Sequence, residues 1–213
     1  MAKNRKDSTF TVDSWLNLAD DSGVQRLIET DPYSRVYPAL VGHFHQQNCL
    51  NWDAALVGLH IVYGWMPTIP ELKDITKYDA DQQENIIGII DGARKGTAPN
   101  VEQMETLSKF TNNSVIGSSK LLHFINPEIC PIWDQRVARV FLWPGVSFGS
   151  VNQAQRWTEY QETLTGWQDD QRVKDACGNL RKLADCLKDV SNLRLTELVM
   201  FHASDPDATK DEK

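Results

Sequence analysis

The apolar positions of this chain recur with the period of an α-helix along most of its length. In residues 81–95 they form one stripe, and Gly96 follows as a residue that ends helices. Residues 54–63 are almost wholly apolar, which indicates a helix buried on most sides, capped by Asn51 or Asp53. Further helices are predicted over residues 14–18, 24–28, 34–47, 101–110, 121–125, 135–142, 152–164, 171–187 and 193–202. Because no strand pattern persists, the sequence predicts an all-α fold of about ten helices.

The size of the chain is sufficient for a sizeable core. With 213 residues, of which 41% are hydrophobic, we expect one helical domain over residues 9–203, either a single bundle or two lobes around a cleft. The polar and charged ends, residues 1–8 and 204–213, are interpreted as a loose tail and a disordered acidic tail.

Charge limits the classes of partner. The chain carries 22 basic and 29 acidic side chains, a net charge of −7, which argues against a surface that is basic all over. Residues 109–139 are an exception, because this window contains four basic side chains and only two acidic ones. A nucleic-acid site, if present, must therefore be local, and this window has the required sign.

Several kinds of site are not indicated by any motif. The four cysteines lack metal-ligand spacing, and His43 and His45 point to different sides of a predicted helix. No phosphate-binding loop, dinucleotide fingerprint or membrane-spanning apolar run is present. We therefore expect a cytoplasmic protein with reduced thiols, no membrane partner, no metal and no small-molecule cofactor.

The most informative stretch places a lysine and an aspartate at two successive helix starts. Lys120 follows Gly117-Ser118-Ser119, and Asp134 follows Pro131-Ile132-Trp133. A partly buried lysine near a helix N-terminus experiences desolvation and the positive end of the helix dipole, both of which favour the neutral, nucleophilic amine. The alternatives are a solvated lysine and an aspartate that only caps its helix.

These residues resemble the helix-hairpin-helix DNA glycosylase superfamily, in particular its bifunctional 8-oxoguanine glycosylase-type members. The similarity lies in residues 115–120 and 131–137, together with the helical pattern. The resemblance implies DNA as partner and base excision repair as activity. It also implies that Lys120 attacks C1′ of a damaged nucleotide and that Asp134 stabilises the cationic sugar.

The resemblance also implies two sets of binding residues. Aromatic candidates for a pocket that receives an extruded base are Trp65, His123, Phe124 and Trp133. Candidates for DNA binding are Gly117, Ser118, Ser119, Arg136 and Arg139. For three of these an ordinary role remains open: Trp65 can fill the core, His123 can bond a backbone carbonyl, and Arg136 can pair with a nearby acid.

Three functions remain open from the sequence. The first is a DNA glycosylase, with or without AP-lyase activity. The second is a catalytically inactive helical binding module of a mobile element or defence system, which the acidic balance favours. The third is a helical protein in which Lys120 and Asp134 are surface and cap residues. The base, the choice of DNA over RNA and the oligomeric state are not indicated.

Overall fold

The computed structural model describes residues 10–46, 50–66, 69–71, 75–142 and 147–205. These ranges contain twelve α-helices, one short 3₁₀ helix and no strand, so the predicted all-α class is confirmed. The helices are α1 Val12–Ala19, α2 Ser22–Thr30, α3 Pro32–His45, α4 Trp52–Gly64, α5 Ala80–Arg94, α6 Val101–Phe110, α7 Val115–Ile125, α8 Gln135–Phe141, α9 Phe148–Val151, α10 Ala154–Trp167, α11 Gln171–Leu180 and α12 Asn192–Ala203; the 3₁₀ helix is Asp185–Leu187. The predicted tails lie outside the described residues except for Ser204 and Asp205.

Short polar side chains set most helix starts. The Asn51 side chain accepts the Ala54 N–H, which identifies Asn51 rather than Asp53 as the cap of α4. At α5 and α6 the cap is reciprocal, because the glutamine three residues on accepts the backbone N–H of the capping residue. These caps explain why the starts of α4, α5 and α6 agree with the sequence pattern.

Three predicted elements differ from the structure. The helix predicted over residues 171–187 ends at Leu180, where the Arg181 guanidinium donates to Val190 O and Asn192 Oδ1 and the chain turns back towards α12. The loop expected up to Ser150 contains the short helix α9. The lysine-bearing helix α7 starts at Val115, several residues before Lys120, because Ser114 caps it by accepting the Gly117 N–H.

Two nearly buried helices organise the core. Helix α7 packs against α3, α4, α5, α6 and α10, and helix α12 packs against α1, α2, α8, α10 and α11. The buried apolar side chains form one continuous cluster around both helices. Polar groups on α7 and α12 are therefore held in a rigid, water-poor environment. No helix in the described ranges combines the length and apolar character needed to cross a membrane.

Candidate functional site

Helix α7 holds Lys120 near its middle, not at its N-terminus. The helix runs from Val115 to Ile125, and the residues beside Lys120, Ser119 and Leu121, are buried. The predicted contribution of the helix dipole is therefore wrong, because that effect fades within the first turn. The predicted partial burial of the lysine is confirmed, since its side chain is half-buried.

Lys120 and Asp134 line the same pocket, as the sequence predicts. The pocket has a volume of about 140 Å³ and lies among α3, α7, α12 and the segments that precede α8 and follow α4. Its lining residues are Asp31, Tyr33, Trp65, Lys120, Ile132, Asp134, Arg194, Glu197 and Phe201. One lysine, three acidic residues and one arginine therefore line one small pocket together with three aromatic residues.

Asp134 has two roles in the structure. Its Oδ1 accepts the Val137 N–H at 3.0 Å, which caps α8, and its side chain also lines the pocket. Within the described ranges Asp134 forms no direct ion pair with Lys120. The amine is therefore not locked into a salt bridge.

Burial lowers the pKa of the Lys120 amine. Desolvation is the main cause, and the Arg194 charge acts in the same direction, while Asp134 and Glu197 oppose both. The net direction favours the neutral amine. A neutral lysine amine in a pocket is the form that attacks carbon.

The buried pair of Arg194 and Glu197 on α12 was not predicted from the sequence. Arg194 Nη1 donates to Glu197 Oε2, and both side chains are almost completely buried. Glu197 Oε1 has no hydrogen-bond partner among the described residues. Burial raises the pKa of Glu197 to about 7, and Asp134 adds to this, while Arg194 and Lys120 oppose it. The available signal was the presence of two charges three residues apart in an otherwise apolar helix.

Trp65 lies at the rim of the pocket, where it also contacts the core. Its ring stacks on Tyr33, with centroids 5.8 Å apart and planes at 20°, and it packs 5.0 Å from the Phe124 ring. Tyr33 is 55% exposed. The two rings together offer a flat aromatic surface at the pocket mouth.

Three predicted pocket residues lie in the core instead and do not line the pocket. His123 is fully buried; it donates from Nδ1 to Cys130 O at 2.7 Å and accepts from the Tyr37 hydroxyl at 2.8 Å. The Phe124 ring stacks on Phe44, and Trp133 Nε1 donates to Val151 O. These contacts correct the prediction for His123, Phe124 and Trp133, since apolar surroundings and internal partners remove all three from the pocket.

The small residues before Lys120 are also internal. Ser118 Oγ lies 2.7 Å from Thr111 Oγ1, and Ser119 Oγ donates to Trp133 O and accepts the Trp133 N–H. Gly117 is buried where helix α7 meets the side chain of Thr111. The structure thus contradicts the prediction that Gly117, Ser118 and Ser119 bind DNA, because all three are buried and cannot contact a phosphate.

The two arginines of α8, Arg136 and Arg139, differ in their contacts and exposure. Arg136 Nη2 donates to Asp205, and its guanidinium lies 4.4 Å from the Phe201 ring centroid, so it pairs with a nearby acid, the ordinary role left open above. Its prediction as a DNA ligand is therefore corrected. Arg139 is exposed and stays a prediction.

No group of three His, Cys, Asp or Glu side chains in the described ranges is placed to hold a metal ion. Cys130, Cys177 and Cys186 are free thiols, and Cys49 lies outside the described residues.

Comparison with known proteins gives one match. Residues 91–204, more than half of the chain, match the profile of DUF6308, a family of unknown function. No curated protein and no solved structure matches the chain.

Proposed function

We propose that this chain, a member of the DUF6308 family of unknown function, is a cytoplasmic DNA glycosylase with AP-lyase activity, and the proposal rests on its pocket. The observation that carries the proposal is that the half-buried residue Lys120 and Asp134 line one pocket. Both residues lie within the part of the chain that matches the family.

The chemistry needs a neutral amine next to a carboxylate. The Lys120 amine attacks C1′ of an extruded nucleotide, the C1′–N bond breaks, and the base leaves with the bonding electrons. Asp134 stabilises the positive charge that develops on the sugar. The adduct nitrogen gives a proton to the departing base, and its lone pair then breaks the C1′–O4′ bond while O4′ takes up a proton from water. The opened sugar is a Schiff base at C1′, which is the intermediate of a lyase reaction.

The pocket suits a flat ring. Its volume of about 140 Å³ is close to that of an engineered cavity of about 150 Å³ that binds benzene, so one aromatic ring fits inside. Trp65 and Tyr33 provide a stacking surface at the mouth for the part of a base that extends outwards.

The proposal is tested by borohydride trapping on duplex DNA that contains an abasic site, 8-oxoguanine or an oxidised pyrimidine. We expect wild-type protein to form a covalent adduct on abasic DNA and the Lys120→Gln variant to form none, because the amine is lost. Lys174→Gln is the matched control, since Lys174 is exposed on α11 and does not line the pocket.

A second variant isolates the carboxylate. Asp134→Asn keeps a side-chain oxygen that can cap α8 and removes the charge, so we expect folded protein with trapping slowed about 10²- to 10³-fold. Absence of an adduct with the wild type on every substrate, or an unchanged yield with Lys120→Gln, contradicts the proposal. DNA retention without an adduct supports the inactive binding module instead.

A further inference from the structure

Glu197 is the pocket residue whose arrangement the proposed reaction leaves unexplained. Its side chain is 0% exposed, Oε2 is bound to Arg194, and Oε1 has no hydrogen-bond partner among the described residues. A buried carboxyl oxygen without a partner is costly, and such groups call for an explanation. Lys120 lines the same pocket.

We propose that Glu197 is a positioning residue for Lys120, whose free oxygen takes up the proton that the lysine loses before its amine reacts. The inference rests on the proposed role of Lys120 as nucleophile. In the step, an N–H bond of the ammonium breaks, its electron pair stays on nitrogen, and an O–H bond forms at Glu197 Oε1. The net charge of the pair does not change.

Geometry favours Glu197 over Asp134 for this role. Each carboxyl group has one bonded oxygen, but Asp134 is partly exposed, so water can reach its other oxygen, whereas Glu197 is fully buried and its Oε1 has no partner among the described residues. Arg194 holds the opposite oxygen of Glu197 and fixes its orientation, and the Arg194 guanidinium itself lies 5.1 Å from the Tyr37 ring centroid. The free oxygen is therefore presented by a rigid support.

The cavity allows a proton relay between the two groups. They form no direct ion pair in the described part of the chain, and the pocket volume is about 140 Å³. Because a bound water needs only about 10–15 Å³ of such volume, water can bridge an amine and a carboxyl group here.

Burial moves the two pKa values towards each other. It raises the pKa of Glu197 to about 7 and lowers that of Lys120, and both shifts reduce the free energy needed to move a proton from the amine to the carboxylate. The ionisable groups around Glu197 belong to several elements and include Lys120 on α7, Asp134 before α8, Asp31 and Tyr37 at α3, Tyr160 on α10, and Arg194 and His202 on α12.

The test measures the protonation of Lys120 directly and uses no DNA. Protein is labelled with carbon-13 lysine, the ε-methylene signals are followed from pH 5 to 11 by NMR, and the Lys120 signal is identified by its loss in Lys120→Gln. We expect a wild-type inflection near pH 7, where Glu197 ionises. In Glu197→Gln this inflection disappears and the midpoint of the Lys120 titration falls by about one pH unit, because a nearby negative charge is lost.

Controls separate this effect from damage to the fold. Glu162 is an exposed glutamate on α10, and Glu162→Gln is expected to leave the inflection near pH 7 and the midpoint of the Lys120 titration unchanged. Glu197→Asp keeps a carboxyl group and is expected to retain the inflection. If Glu197→Gln does not fold, the double variant Arg194→Met, Glu197→Gln leaves no unpaired buried charge and is expected to lack the inflection too.

An inflection that persists in Glu197→Gln, or an unchanged midpoint of the Lys120 titration, overturns the inference, because the inflection then belongs to a group other than Glu197. If trapping on DNA fails while the NMR titration behaves as expected, the proposed function is rejected and the coupling between Glu197 and Lys120 stands. The two failures are thus distinguishable.

Discussion

At the scale of single residues, His123 shows how a buried environment decides the role of a titratable side chain. Its Nδ1 donates to Cys130 O, and its Nε2 bonds the Tyr37 hydroxyl. Burial, with a contribution from the Arg194 charge, lowers its pKa to about 3. The ring thus connects α7 to α3, and its burial opposes protonation.

The depressed pKa of His123 predicts a stability loss in mild acid. Between pH 6.5 and 3 the unfolded chain binds a proton at His123 and the folded chain does not, so this residue lowers the free energy of unfolding as pH falls. The slope reaches about 1.4 kcal/mol per pH unit. Glu197 acts in the opposite sense, because its raised pKa makes its contribution to stability fade as pH rises towards 7.

The measurement is therefore the free energy of unfolding in urea, compared between wild type and His123→Gln from pH 4 to 8. We expect the variant to be less stable by about 1–3 kcal/mol at pH 7, where a buried carbonyl loses its donor. This difference in the free energy of unfolding should become smaller as pH falls, because the wild type loses stability through His123 and the glutamine of the variant does not titrate. A difference that stays constant with pH would show that His123 is protonated normally in the folded protein.

Residue roles were predictable only where spacing alone decided them. The order Lys120, proline-bounded loop, Asp134 indicated two groups in one pocket, and both line it. Arg194 and Glu197 were missed because their meaning depends on burial between α7 and α12, which no local pattern reveals. Trp133 was assigned to the pocket for the same reason, since an aromatic ring in sequence does not indicate which side it faces.

At the scale of elements, the join between α6 and α7 fixes the start of the lysine-bearing helix. Asn112 and Asn113 adopt left-handed backbone angles in the turn, a conformation that asparagine tolerates. The hydroxyl of Tyr63 on α4 donates to Thr111 O at 2.9 Å. Gly117 lies against this corner, so we assign it a packing role.

The packing role predicts opposite effects for two glycine substitutions. A Cβ at Gly117 would lie 3.2 Å from Thr111 Cβ and 3.3 Å from the Tyr63 hydroxyl, whereas a Cβ at Gly88 on α5 meets nothing within 4 Å. Crowding costs about 1–3 kcal/mol and alanine gains about 1 kcal/mol in a helix. We expect Gly117→Ala to destabilise by about 1 kcal/mol and Gly88→Ala to stabilise by up to about 1 kcal/mol.

Urea unfolding at pH 7 measures both changes against wild type. A stabilised Gly117→Ala protein would mean that Thr111 and Tyr63 move aside easily, and the packing role would then be rejected.

Helix periods and caps predicted most elements, and tertiary contacts account for the differences. The period continues past Leu180, yet the chain leaves the helix there because Arg181 bonds backbone and side-chain oxygens near the start of α12. An arginine that bonds groups about ten residues away cannot be distinguished in sequence from one on a solvated face.

At the scale of the whole molecule, charge restricts how the proposed substrate can bind. The chain has a net charge of −7, and Arg136 is engaged with Asp205, so Arg139 on α8 is the exposed cation that remains from the predicted DNA-binding set. We therefore expect weak, local phosphate binding that depends on few contacts.

The corresponding prediction concerns salt. In fluorescence anisotropy with abasic-analogue DNA, Arg139→Gln should weaken binding and reduce the slope of log affinity against log salt concentration by about one. Arg172→Gln on α11, where the arginine pairs with Asp13 and Asp170, should leave the slope unchanged. Equal slopes for wild type and Arg139→Gln would exclude Arg139 from the contact.

The residues that line the pocket come from two parts of the chain, one inside and one outside the segment that matches the DUF6308 family. The amine, Asp134 and the acidic residue of α12 lie within residues 91–204, whereas Asp31, Tyr33 and Trp65 precede that segment. Substitutions at Tyr33 and Trp65 can therefore change the aromatic part of the pocket while the part formed by residues 91–204 keeps its helices. For the proposed glycosylase we therefore expect replacement of Tyr33 and Trp65 to change which base is accepted, while Lys120 and Asp134 keep their supporting contacts.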